Sequence, residues 1–348
     1  YEADSVAGGV LYWGIPEYRL PNEVLAKEIA AIEEAGVTIH TNSRIGSRAG
    51  CIMTVNELME RSDAVYMAIG TQKPMRMDVP GEDLEGVESG LSFLRRVGLN
   101  VDRSVPRRLV VIGGGSTAMD VARTARRLGA EEITVAYRRT VDEMPAGAEE
   151  VAEAREEGIH LIELASPLEI LGDHGKVTGI RLVRRELADF GKDGRMRSRH
   201  IPGSEFDIPC DGVVAAVNQG LDANTLPTDE SGKNFATDRF TGETNRPGMF
   251  AGGDAAAHGS RVVINAIADG KKAAAGIDRY LGGAGVLNKG EDIDIPVIPV
   301  GDVEAHDRFP TRCLGVEDRV DNFREVAQGY HNLDAMAECL RCLHCDRR

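Results

Sequence analysis

A chain of 348 residues is longer than one hydrophobic core supports, roughly 250 to 300 residues, so two nucleotide-sized domains and a tail are expected. Hydrophobic residues make up 42% and aromatics 5%, ordinary for a globular chain, and no apolar run approaches the ~20 residues of a membrane span. A formal charge of -15 disfavours nucleic acid and anionic membranes as partners, and six cysteines over this length are no disulfide framework.

The opening YEADSVAGGV lacks the basic start and apolar core of a signal peptide, so a cytoplasmic location is expected. It begins on Tyr1 rather than Met, and both ends read as cut. Residues 22 to 35 place Leu25, Ile29 and Ile32 on one helical face, Gly36 closes that helix, and VTIH follows as a short strand. The run AVYMAIG, 64 to 70, predicts a buried parallel strand, and the turn-rich stretch after it predicts a crossover, with the first segment ending near 98. Residues 109 to 137 form a βαβ unit: LVVIGGG, a helix with Ala118, Val121, Ala122, Ala125 and Leu128 inward, then ITVAY. From 160 to 217 the runs HLIEL, IRLVRREL and VVAAV predict a small sheet, interrupted by the polar excursion GKDGRMRSRHIPGSE. GMFAGGD then leads into the helix VVINAIADGKKAAAGIDRYL, and after 285 the pattern turns irregular, with a proline-rich strap at DIDIPVIPVGDVEAHDRFPTRC.

The strongest motif is the G-x-G-x-x-A of Gly113, Gly115 and Ala118, set between a strand and a helix. Gly113 permits the tight turn, Gly114 continues the loop and Gly115 lets a pyrophosphate approach the backbone. Ser116 and Thr117 open a helix whose free N–H groups favour an anion. A glycine turn serving only sheet packing is the alternative. An acid at the end of the next strand would take the ribose 2′-OH of NAD, but ITVAY ends in Arg138 and Arg139, which suit the 2′-phosphate of NADPH. A solvated surface pair is the other reading of these two.

Glu2, followed by Gly8 and Gly9, looks like the end of a first nucleotide unit, with Glu2 as ribose acid or else as a solvated loop carboxylate. Downstream, PGMFAGGDAAAHGSRVVINAIADGKKAA carries Gly253 and Asp254 into a glycine turn before a second helix. Such a turn suits a flavin: Asp254 can accept from ribityl hydroxyls and the helix N-terminus can face the pyrimidine edge. An ordinary capping turn is the alternative.

The blocks GGVLYWGIPEYRLP, VVIGGGSTAMDVARTARRLGA, VAYRRTVDEMPAGAEEVAEAREEG and PGMFAGGDAAAHGSRVVINAIADGKKAA resemble, in order and spacing, the glutamate synthase small subunit family. That family also takes in the flavin and NADPH domains of dihydropyrimidine dehydrogenase. The resemblance runs from Tyr1 to about Leu281 and implies an α/β fold with two Rossmann-like three-layer domains. An NADPH-binding domain, 99–217, would be inserted into a discontinuous FAD-binding domain, 1–98 with 218–285, leaving 286–348 as an extended tail with a Cys-rich end. It further implies that Glu2, Gly9 and Leu11 touch FAD near ribose and ring, and that Asp254 with Val263 holds the ribityl and isoalloxazine. Three departures stand out: the first FAD glycine unit and the N-terminal iron–sulfur ligands are missing, and Asn218 occupies the usual Gly of the second domain junction.

Cys339, Cys342 and Cys345 have the C-x-x-C-x-x-C spacing of the first three ligands of a 4Fe–4S run, with zinc or unliganded thiols as the alternatives. Cys51 and Cys210 are isolated and read as buried thiols, and the region after Gly9 holds no cysteine, which disfavours disulfide reduction. His258 and His306 read as solvated or core residues, because hydride transfer needs alignment rather than an acid or base. The expected activity is hydride transfer from NADPH to FAD, then single electrons to an iron–sulfur or large catalytic subunit. The alternatives are a non-catalytic NADPH-binding docking subunit and a ferredoxin-NADP reductase running in reverse.

Overall fold

The structure is a computed structural model and describes residues 1–190, 196–221, 235–256, 261–286 and 307–340. Gly9 takes a positive φ of 53° and starts the short helix α1 (Val10–Trp13), which is followed by α2 (Asn22–Glu34). Although Leu25, Ile29 and Ile32 recur at helical spacing, α2 buries none of its residues. The VTIH segment after it is not a strand. It pairs with the main chain of residues 2–4, with Glu2 N–H donating to the His40 carbonyl and Asn42 N–H to the Asp4 carbonyl, both 2.8 Å, a pairing too short for a ladder. Helix α3 (Val55–Glu60) begins with a reciprocal cap between Thr54 and Glu57, and β1 (Val65–Met67) and β2 (Lys73–Pro74) follow.

The central layer grows from runs of β-branched residues that pack on both faces. It comprises β3 (Val87–Ser89), α4 (Gly90–Gly98), β4 (Arg108–Ile112), α5 (Ser116–Arg127), β5 (Glu132–Ala136), α6 (Ala148–Glu156) and β6 (His160–Ile162). Strands β7 (Ala165–Asp173), β8 (Lys176–Phe190) and β9 (Met196–Pro209) precede β10 (Gly212–Ala215), which returns to the same layer, and β11 (Gln219–Gly220) leaves it. The parallel sheet has the order β3-β10-β4-β5-β6, so it draws in residues ahead of 99. Period-two alternation divides its side chains: Leu109, Val111, Ile133, Val135 and Val214 pack on Phe93, Leu94, Ala118, Val121, Ala122, Ala125 and Ala154 of α4, α5 and α6. Val110, Ile112, Ala136 and Val213 face the other way, onto Ile170, Val177, Ile180 and Leu182 of an antiparallel sheet β7-β8-β9. The result is three layers, helices over a parallel sheet over an antiparallel sheet.

Two expectations are corrected here. HLIEL and VVAAV contribute to the parallel sheet rather than to a separate small one. The supposed polar excursion continues as β9, paired antiparallel with β8 from Gly179↔Pro209 to Phe190↔Met196; its outward polar residues hid a strand held by main-chain hydrogen bonds.

Strand β12 (Met249–Ala251) runs parallel to β1 in the register Val65↔Met249 and Met67↔Ala251. Val65, Met67, Leu221, Phe235, Met249, Ala251 and Ala255 form one core, so residues from both flanks of the central layer fold together. Helix α7 (Val263–Tyr280) follows. The described part of the tail is ordered rather than irregular: β13 (Arg312–Cys313) pairs with β14 (Ala327–Gly329), and α8 (Asn332–Cys339) ends it.

The tail packs on the central layer through buried charge. Glu157 is fully buried and accepts from Arg123 Nη2 at 2.7 Å and Arg127 Nη1 at 2.5 Å, while Arg319 of the tail pairs with it at 3.1 Å. Burial pushes the Glu157 carboxyl up, but the hydrogen bonds from Arg127 and Arg123 outweigh it and hold the group below the ordinary carboxylate range. The buried ring of Tyr18 lies against the same guanidiniums, 3.9 Å from Arg127 and 4.9 Å from Arg123, and its carbonyl accepts from Val326 N–H of the tail at 2.9 Å. Burial raises the Tyr18 phenol.

Candidate nucleotide-binding site

The turn between β4 and α5 depends on glycine at two successive positions. Gly113 has φ 148°, and a Cβ there would lie 2.3 Å from the Ala216 carbonyl oxygen. A Cβ on Gly114 would lie 2.5 Å from the Tyr137 ring, whose hydroxyl donates to the Glu143 carbonyl at 3.0 Å. Gly115, by contrast, has open space where its Cβ would be, and as the N-cap of α5 it offers no side chain to the first-turn N–H groups. Ser116 and Thr117 begin the helix on this open side, and Gln219 Nε2 approaches Thr117 Oγ1 at 3.4 Å. The neighbouring AVNQG turn includes Asn218 at φ 138°, a conformation glycine adopts freely and asparagine does not.

Beyond β5 the two arginines part company. Arg138 is exposed, whereas Arg139 is 7% exposed and its Nε has no partner, so the reading of a solvated surface pair is corrected for Arg139. Among the described residues no carboxylate lies within 4.0 Å of either guanidinium. Arg185 of β8 belongs to the same cluster: burial first, then the charges of Arg138 and Arg139, hold its guanidinium below its ordinary range. Sequence reasoning passed over Arg185, because it stands in an ordinary alternating strand and only the pairing of layers brings it here.

The residues expected on the flavin side lie on the two chain segments that β1 and β12 join. Glu2 is half-buried, and its Oε1 accepts from Asp4 N–H at 2.7 Å within its own loop. Leu11 is half-buried on α1, and Gly9 has open space at its Cβ position. On the other segment Gly253 has φ 64° and donates its N–H to Asp269 Oδ2 at 3.1 Å. Asp254 follows it, half-buried, its carboxyl raised by burial against the opposing charge of Arg261. Val263, exposed, is the first residue of α7, and no side chain caps that helix. His258, His306, Cys342 and Cys345 lie outside the described residues; Cys339 is exposed at the end of α8. Cys210 is buried as expected, with burial pushing its thiol up to about 12, but Cys51 is only half-buried. Among the described residues no three His, Cys, Asp or Glu side chains are placed to share a metal ion, and no helix is long and apolar enough to cross a membrane.

One more contact ties the segment after the first glycines to α5. Arg19 Nη1 donates to both Asp120 oxygens at 2.8 Å and Nη2 to Glu150 at 2.5 Å. Tyr18 and Arg19 of GIPEYRLP therefore turn their side chains onto α5.

A family model described as pyridine nucleotide-disulphide oxidoreductase matches residues 6–270. Among curated proteins, the NADP(+)-dependent formate dehydrogenase subunit beta of Moorella thermoacetica is 40% identical over 363 aligned residues, covering 100% of this chain and 51% of that protein. The glutamate synthase (NADPH) small chain of Halomonas elongata is 38% identical over 294 residues, covering 79% of this chain and 61% of that one. The chain thus spans about half to three-fifths of the length of the curated relatives it matches. Among solved structures, Mycobacterium tuberculosis FprA in complex with NADPH shares the fold, with a TM-score of 0.67 at 22% identity over 79% of this chain and 75% of that one.

Proposed function

Since this chain belongs to the family of pyridine nucleotide-disulphide oxidoreductases, we propose that it is the NADPH- and FAD-binding part of an enzyme that takes hydride from NADPH and sends electrons on to a partner. The observation that carries the reading is an uncapped glycine cradle at Gly115 after β4, with Arg139, a buried guanidinium with an unpaired Nε, following the adjacent parallel strand β5. In this reading Gly113, Gly114, Gly115, Ser116 and Thr117 hold the NADPH pyrophosphate, and Arg138 and Arg139 hold its 2′-phosphate. The NADPH-binding domain is 99–217, packed on β3 and α4 of the preceding segment. The FAD-binding domain is 1–98 with 218–285, where Glu2, Gly9, Leu11, Gly253, Asp254 and Val263 bear on the cofactor. The residues of this chain bind and orient, and none is required to move a proton. Bound FAD supplies the exchange between a two-electron hydride and single electrons.

The Moorella thermoacetica subunit aligns along the whole chain, tail included, while the glutamate synthase small chain covers less of it. This favours an electron-transfer subunit of an assembly whose partner carries an iron–sulfur centre or the substrate chemistry. In that assembly 286–348 is the docking arm, and Cys339, Cys342 and Cys345 are ligands of a 4Fe–4S cluster.

The test is the visible absorption spectrum of the anaerobically purified full-length protein, before and after NADPH. Flavin bands that bleach with NADPH, and far less with NADH, are the expected outcome. A colourless protein, or a flavin that NADPH leaves oxidised, overturns the proposal.

A further inference from the structure

Arg138, Arg139 and Arg185 stand near one another beyond the end of the parallel sheet, and they come from two layers. Arg138 and Arg139 follow β5, whereas Arg185 stands in β8 of the antiparallel sheet. The layers are stitched at this point: Leu164 N–H donates to the Arg139 carbonyl at 3.1 Å, and Arg185 N–H to the Leu164 carbonyl at 2.7 Å. Neighbours on both flanking strands then fix the Arg185 side chain. Its Nε donates to Ser198 Oγ at 2.8 Å, its Nη1 to Ser166 Oγ at 3.0 Å and its Nη2 to the Ser198 carbonyl, while Ser166 Oγ is also 3.2 Å from His200 Nε2.

None of these partners is a carboxylate, and among the described residues none lies within 4.0 Å of Arg138, Arg139 or Arg185. Like charges gathered around a buried one repel unless an anion is shared among them. Arg139 makes the case sharper, because a buried guanidinium with an unpaired Nε is costly to leave unmatched. Three of the five N–H groups of Arg185 are spent on its anchors, which leaves two free for a ligand.

We propose that Arg185 is the third arm of this anion site, a specificity-determining residue supplied by the antiparallel sheet, and that the site takes a phosphate monoester, the 2′-phosphate of NADPH. The monoester presents three peripheral oxygens and close to two charges, which matches three guanidiniums better than the two oxygens and single charge of a carboxylate. The inference rests on the NADPH reading above and extends it from the loop after β5 to a second layer of the domain. Ser166 and Ser198 are positioning residues, since they hold Arg185 rather than the ligand.

The test uses the full-length protein and two nucleotide fragments, 2′,5′-ADP and 5′-AMP, titrated calorimetrically, with KM for NADPH and NADH measured alongside. Arg185→Ala is expected to weaken 2′,5′-ADP and raise the NADPH KM about 10- to 100-fold, as loss of charge-assisted hydrogen bonds implies, while 5′-AMP, NADH and kcat stay as they were. Arg185→Lys should fall between, because a point charge replaces a fork. Ser198→Ala, which leaves the charge and frees the Nε anchor, should weaken 2′,5′-ADP by a smaller factor; it keeps the inference testable if Arg185→Ala does not fold. If the parent protein fails to prefer 2′,5′-ADP to 5′-AMP, the NADPH reading itself falls. If the parent prefers it and Arg185→Ala prefers it equally, the assignment of Arg185 is overturned while that reading stands.

Discussion

Asp120 lies on α5 with both carboxylate oxygens hydrogen-bonded to Arg19, yet burial outweighs that pairing and pushes its carboxyl up to about 6. A carboxyl with its folded pKa above the unfolded value of 3.8 favours folding while protonated, and that contribution disappears as pH rises through 6. Asp120→Asn removes the titration, so the variant is expected to gain stability relative to the parent as pH climbs from about 4 to about 6, read as the difference between their urea midpoints. A constant difference across that window contradicts the shift. At this scale the sequence identified Arg138 and Arg139 by type but not by circumstance: adjacency in the chain says nothing of the burial that separates them. Arg185 carried no local signal, because its meaning depends on which strand lies beside β5.

The glycine loop was legible because a strand, a G-x-G-x-x-A spacing and a helix each dictate local geometry. The structure adds a reason for Gly114 that spacing does not supply, the flat face of Tyr137 packed against it. Gly114→Ala should displace that ring and weaken NADPH and NADH alike, by about 1 to 3 kcal/mol, as an overpacked methyl group does. Steady-state KM values for both nucleotides check this, and a loss confined to NADPH would show that Tyr137 does not shape the common part of the site. Strand β9 marks the limit of what periodicity reveals: with most of its side chains outside the core, its place is set by main-chain pairing with β8. The same limit, in the opposite sense, applies to α2, which has helical spacing of apolar residues and buries none of them.

Across the whole molecule, the α/β class follows from apolar runs and glycine turns that any reader of the chain can find, whereas the joining of two distant segments, seen in the pairing of β1 with β12, is implied only by the family resemblance. The attachment of the tail has no such signal, because its buried part centres on one carboxylate shared by arginines far apart in sequence. Glu157→Gln leaves Arg123, Arg127 and Arg319 without their common counter-charge and is expected to cost about 3 to 5 kcal/mol of stability, measured by urea denaturation. A variant as stable as its parent would mean that solvent or neighbouring Glu153 and Glu156 compensate.

A hub of this kind also constrains descent. Losing Arg319 alone leaves Glu157 with two partners, but losing Glu157 takes a partner from three cations at once; Arg123 keeps Glu153 and Arg319 keeps Glu156, so the burden falls on Arg127, and substitution at 157 is best tolerated in a lineage that has already altered 127. Tyr18, whose ring lies against two of those guanidiniums, is drawn into the same bargain. Recombination that exchanges the tail for another therefore inherits a vacancy beside Glu157, and a transplanted tail fits most readily when it brings an arginine of its own.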